Sequence, residues 1–233
     1  MSAVLTDAFC TGKSAPQLDD GLLCVRMRVC EENAATAALT ALSDDICLPF
    51  DEDAMRLGCK NLFLPSLDIP DKTLDSLIEY ALENGARVTA VCSATLEEAG
   101  IIDSRFGKSP VMLLHECGLL VGCTVVGGVY LDKDDLALMA QENVPLVVRP
   151  SFDAGYGHGV APVIAALKAG VKVSLGTADG VYNKDHSVLA EAAYLRLLTA
   201  AQLNRRDALS LGALSIMAAG EENEEVIKRI VCR

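Results

Sequence analysis

Short, continuously apolar runs alternate along this chain with longer stretches whose apolar residues recur at helical spacing. The runs at residues 3–9, 22–29, 61–65, 87–92, 123–126, 144–148 and 171–175 read as strands. Uninterrupted apolar character over so few residues is the mark of a strand covered on both faces. Residues 44–50 fit a short strand or an irregular link. Between the runs, residues 31–42, 51–57, 71–84, 96–101, 110–117, 132–143, 163–169, 187–199 and 206–219 read as helices. The clearest is 71–84, where Leu74, Leu77, Ile78, Ala81 and Leu82 share one face and Gly85 is placed to close the last turn. Residues 104–109 read as a polar turn and 221–233 as a short charged tail. Asp132 is placed to cap the helix that follows it, with Asp134 and Asp135 in its first turn.

Residues 144–183 hold one complete unit of this pattern. A buried strand leads into a Gly-rich segment at 151–159, which reads as a loop. Pro162 suits the first turn of the next helix, where its missing N–H costs nothing, and Gly170 suits its end. The strand at 171–175 follows, with Gly176, Thr177, Ala178, Asp179 and Gly180 at its C-terminal end. Repetition of such βα units predicts a parallel sheet with helices outside it. The expected fold is α/β, a (β/α) TIM-like barrel of seven or eight parallel strands, with residues 1–233 as a single domain; an open doubly wound sheet is the alternative. In either architecture the carboxyl ends of the strands carry the functional groups.

Composition narrows the partners. A formal net charge of −12 disfavours nucleic acid and anionic membranes, which require basic patches. No basic region precedes the apolar residues of the first nine positions, and no apolar run reaches the roughly 20 residues of a membrane helix. A cytoplasmic protein is expected. Nine cysteines are present and none forms a C-x-x-C pair. Several lie inside strand-like runs and read as small buried hydrophobes in a reducing compartment, with a metal or redox role as the alternative. No strand–helix junction carries G-x-G-x-x-G or a P-loop.

Several stretches resemble the metal-dependent amidohydrolase superfamily, in its deaminase and chlorohydrolase branch. They are GKSPVMLLHECGLL at 107–120, the run 125–177 ending in GYGHGVAPVIAALKAGVKVSLGT, and EAAYLRLLTAAQLNRRDALSLGALSIMAAG at 191–220. Weaker matches upstream are NLFLPSLDIPDKTLDSL and RVTAVCSATLEE. The resemblance implies the barrel fold and hydrolysis by a metal-activated water. It also implies where the ligands should stand, and there this chain departs from the family. The family's histidine, glutamate and aspartate positions fall on Ser66, Val91, Ala94, Gly127, Tyr130 and Ala178. The chain starts at what resembles the second family strand, without an H-x-H pair or the accessory β-domain. Val, Ala and Gly offer no lone pairs, so no metal and no cofactor are expected.

Three histidines remain. His115 lies on a predicted helix at a position that is not a ligand in the family, and reads as a surface or packing residue. His158 and Asp153 share the loop after one strand, and Asp179 follows the next, so the three are candidate pocket residues. A carboxylate and an imidazole make a workable acid–base set, although both types also stabilise Gly-rich turns. Asp7 and His186 are further candidates by position. The leading expectation is a barrel that has lost metal and hydrolytic activity and binds a small-molecule ligand or a partner. The alternatives are a hydrolase or deaminase-type enzyme for C–N bonds with a rebuilt, metal-free site, and the product of a truncated reading frame. Without the first strand, two sheet edges face each other, which predicts a homo-oligomer or association with a related subunit.

Overall fold

The computed structural model describes residues 4–11, 24–30, 45–51, 55, 58–206 and 208–219. The strands are β1 (Val4–Thr11), β2 (Cys24–Cys30), β3 (Asp45–Pro49), β4 (Asn61–Leu64), β5 (Arg87–Cys92), β6 (Thr124–Gly127), β7 (Leu146–Val148) and β8 (Val173–Leu175). The helices are α1 (Asp71–Asn84), α2 (Leu96–Phe106), α3 (Pro110–Glu116), α4 (Lys133–Gln141), α5 (Pro150–Gly155), α6 (Val163–Ala169), α7 (Val188–Gln202) and α8 (Leu211–Ala219). All strand pairs are parallel, and their order in the sheet is their order in the chain. A flat sheet of this order would hold its first and last strands roughly 34 Å apart, at about 4.8 Å per step. Instead, β1 and β8 approach within 8 Å between Cα atoms, and α8 packs against both. The sheet is therefore curled on itself, its helices outside.

The side-chain alternation along each strand shows the same thing. Leu62 and Leu64, Val88 and Ala90, Leu146 and Val148, and Val173 and Leu175 face the helices in one large core with Leu77, Ile102, Met139 and Leu195. The residues between them face inward. Phe63, Val126 and Val147 join Cys47, Ala178, Val91 and Phe152 in a second, smaller core inside the curl. Both faces are dry, which is why the strands read as continuous apolar runs.

Helix ends follow their chemistry. Gly85, Gly107 and Gly170 take left-handed conformations at the C-termini of α1, α2 and α6. Thr95, Ser109 and Ser187 accept backbone N–H groups at the starts of α2, α3 and α7. Asp132 and Asp135 form a reciprocal capping box on α4.

Three readings are corrected. Residues 151–159 are not one loop, because α5 occupies their first half: Pro150 starts it, and Arg149 and Asp153 bridge its single turn. Helix α2 continues past Ile101 to Phe106, so the first half of the expected polar turn is helical. Ile102 is fully buried on it, and Arg105 binds Asp68, Asp71 and the Ile69 carbonyl at its end. Pro162 precedes α6 as its N-cap. The ambiguous stretch at 44–50 contains β3. The helix expected at 31–42, most of that at 51–57, and the tail at 221–233 lie outside the described residues.

Candidate active site at the C-terminal edge of the sheet

Three strands run into residues that turn the chain sharply. Ser93 follows β5 with φ 49°, Gly127 and Gly128 end β6 with φ 90° and 63°, and Ala178 follows β8 with φ 54°. Gly127 is also a spatial requirement. A Cβ there would lie 2.8 Å from the Ala94 Cβ and 3.0 Å from a terminal nitrogen of Arg149. The Arg149 guanidinium thus crosses from the end of β7 to the end of β6, and its carbon sits 4.5 Å from the centre of the Phe152 ring. Below it lies the apolar inner core.

A guanidinium this buried requires a partner. Asp153 supplies it one helical turn later. Arg149 donates to Asp153 Oδ1 at 2.6 Å and to Oδ2 at 3.4 Å, and the two side chains are 5% and 3% exposed. The same Oδ1 lies 3.3 Å from His158 Nδ1. The backbone N–H of His158 also bonds to the Asp153 carbonyl at 2.8 Å, which fixes the imidazole over the turn. With its proton on Nδ1, assigned from this contact, the ring presents Nε2 as a base, and the side chain remains 26% exposed. Phe152 and Tyr156 pack on the imidazole at 5.8 and 5.9 Å between centres, and the Tyr130 hydroxyl donates to the His158 carbonyl. This is an Arg–Asp–His line in which the carboxylate orients the imidazole.

Two buried contacts hold the surrounding loops. Glu191, fully buried on α7, accepts the backbone N–H of Ser151, the Ser151 hydroxyl and the Asn183 side-chain amide. Burial pushes its carboxyl above the usual range, and these three donors pull it back. Thr177 and His186 Nδ1 lie 2.6 Å apart, and burial pushes the His186 imidazole below its ordinary value while Asp179 and Asp185 oppose this. Burial likewise raises the Glu98 carboxyl, which accepts the N–H groups of Ala94 and Leu67 beneath the β5 end.

The three residues singled out in the sequence stand on this edge. Asp153 and His158 touch. Asp179 is joined to them through Tyr156, whose hydroxyl donates to its Oδ2 at 3.2 Å and whose ring stacks on His158. A recess with room for about one water-sized sphere is lined by Arg149 and Asp153 with Gly159, Val160 and Leu195, but by neither His158 nor Asp179. His115 is exposed on α3, and Asp7 lies in β1 in register with Met27. Arg149 and Glu191 escaped the sequence reading. The first was hidden by treating the next residues as a loop, since its i,i+4 relation to Asp153 matters only on a helix. The second contacts a residue 40 positions away, which no local pattern reveals.

No protein-family model matches the chain. It is 35% identical over 126 residues to a 5-methylthioadenosine/S-adenosylhomocysteine deaminase from Thermococcus onnurineus, across 54% of this chain and 30% of that protein. The chain thus spans about a third of the length of the curated relatives it matches. A zinc-complexed atrazine chlorohydrolase from Arthrobacter aurescens superposes with a TM-score of 0.67 at 17% identity, over 83% of this chain and 53% of that one. Guanine deaminase from E. coli superposes at 0.71 with 12% identity, over 92% and 65%. The chain shares their fold.

The described residues at these strand ends do not supply ligands for the zinc of the chlorohydrolase. Among the described residues, no group of three His, Cys, Asp or Glu side chains is placed to hold a metal. The strand ends offer Ala94, Gly127 and Ala178, and the space beside Gly127 is taken by a cation, Arg149. Among the described residues no helix is long and apolar enough to cross a membrane.

Proposed function

We propose that this chain is an amidohydrolase-like protein of deaminase type that hydrolyses a C–N bond of a small molecule, with Asp153 and His158 in place of a metal. The observation that carries this is the Asp153–His158 contact at the end of β7, on the edge where parallel α/β folds do their chemistry. The similarity to deaminases over half the chain favours hydrolysis over a purely binding role. In this reading His158 Nε2 takes a proton from water as the water oxygen bonds to the carbon. The imidazolium returns that proton to the nitrogen as the C–N bond breaks, and the amine leaves. Asp153 orients the ring and offsets its positive charge, while Arg149 holds Asp153.

A second reading keeps the fold without turnover, as a ligand-binding or partner-binding barrel. It is favoured by the mouth itself, where Arg149 and Phe152 close over an apolar interior. Both readings place the protein in the cytoplasm, and both pair it with a second copy or a related subunit at the β1–β8 edge. Ammonia release from a panel of amino-purines and amino-pyrimidines, and chloride release from chloro-triazines, separates them. Turnover that is lost in His158→Asn and Asp153→Asn supports the enzyme. No turnover across the panel leaves the binding role, and one equivalent of zinc, iron or manganese retained through dialysis defeats the metal-free site.

A further inference from the structure

The rim beside the dyad carries an aromatic surface that the hydrolytic reading does not use. Four of the chain's five tyrosines stand well out of the interior, Tyr194 on α7 and, on this edge, Tyr130, Tyr156 and Tyr182 at 39%, 48% and 45% exposed. Two of them belong to one continuous group of rings. Tyr156 lies 4.6 Å from Phe152 and 5.9 Å from His158, and meets Tyr182 at 5.2 Å with the planes at 88°. Rings left in water forfeit the gain of burial, so a cluster kept at the surface is a candidate for binding.

Gly155 shows that the position of Tyr182 is built. Its φ is not positive, so the backbone does not demand glycine there. It is the last residue of α5. A Cβ on it would lie 2.6 to 2.7 Å from three carbons of the Tyr182 ring. The missing side chain is the seat for that ring. Asp179 completes the corner. Its Oδ2 accepts the Tyr156 hydroxyl and its Oδ1 accepts the Val181 N–H. Among the described residues it makes no ion pair, whereas the Asp153 charge is taken up by Arg149. A half-buried carboxylate beside two phenol rings matches the chemistry that recognises organic cations.

We propose that Tyr156, Tyr182 and Asp179 form a receptor for an organic cation, a protonated or quaternary amine carried by the small molecule that binds this edge. The proposal rests on this edge being the ligand side of the protein, but not on turnover by the dyad.

Choline and its neutral isostere 3,3-dimethylbutan-1-ol are the probes, titrated into the full chain and followed by calorimetry and by tyrosine emission, which no tryptophan obscures. Choline is expected to saturate with a dissociation constant on the order of 1 mM, at least about tenfold tighter than the alcohol. Tyr156→Leu and Asp179→Asn should each weaken it by about five- to tenfold, and Gly155→Ala should do so by displacing the Tyr182 ring. Circular dichroism establishes that each variant is folded. Equal binding of the two probes, no saturation up to about 50 mM, or folded variants that bind like the parent would overturn the receptor. Choline offers the dyad no substrate in these assays. Its failure to bind therefore leaves the His158 turnover result standing, and a failed turnover panel leaves the choline result standing.

Discussion

Truncating Asp153 to alanine removes the carboxylate that Arg149 grips in the interior. The Arg149 guanidinium is 5% exposed and donates twice to that carboxylate. Solvent screening cannot rescue a group so enclosed, and removing one partner of a buried pair costs about 3–5 kcal/mol. For a chain of this length that corresponds to a fall in Tm of roughly 6–20 °C. The backbone bonds from His158 and Gly159 to the Asp153 carbonyl survive the change, so the loss reads the charge rather than a collapsed turn. The control is Arg149→Met combined with Asp153→Leu, which removes both charges and keeps most of the volume. Urea unfolding followed by far-UV circular dichroism should place the double variant well above Asp153→Ala in stability, and within about 2 kcal/mol of the parent. If the single variant loses less than about 1 kcal/mol, or the double variant falls below it, the guanidinium is not the buried, paired charge described above.

Other expectations follow from named contacts. Gly127→Ala must accommodate a Cβ 2.8 Å from that of Ala94 at φ 90°, and should lose about 2–4 kcal/mol in the same urea experiment. Acid should act through His186. Its imidazole is held below the ordinary value of 6.5, so the unfolded chain takes up the proton first as pH drops. Its contribution is full above that value and is lost as pH falls through the window beneath it. Glu191 acts in the opposite sense. Its carboxyl is raised above 4.5, so it favours the fold most at low pH and less as pH rises through its folded value. Tm measured against pH should therefore fall less steeply below neutrality in His186→Asn; an unchanged slope counts against the assignment. Light scattering should show a homo-oligomer at micromolar concentration, and a monomer would remove the proposed contact at the β1–β8 edge.

How much of this was legible in the sequence depended on the range of the interaction. The strands were visible because both faces of the sheet are dry, as the split of Leu62 and Leu64 from Phe63 shows. Helix α1 was visible because its buried residues, Leu74, Leu77 and Ala81, recur at the helical period. Asp153 and His158 were found together because five residues and one turn separate them. Asp179 was placed by its distance past β8. The reading of 151–159 failed because glycines were counted as loop signals, while Pro150 and the Arg149–Asp153 pair start a helix. Gly155 serves the Tyr182 ring, not a turn. Arg149 was missed because its i,i+4 relation to Asp153 counts only on a helix, and Glu191 because packing between elements brings it back 40 residues to Ser151.

That single carboxylate has a mechanical meaning. Glu191 holds the first turn after β7 through Ser151, and the segment after β8 through Asn183, which itself accepts the N–H of Ser187 and donates to its carbonyl. Neither segment can swing outward without stripping a fully buried acid of a donor, so the two are geared together. In hydrogen-exchange terms they are expected to form one cooperative unit, whose amides become accessible in the same opening event. A ligand that orders either segment therefore stiffens the other, across a gap that the polypeptide itself takes thirty-odd residues to cross.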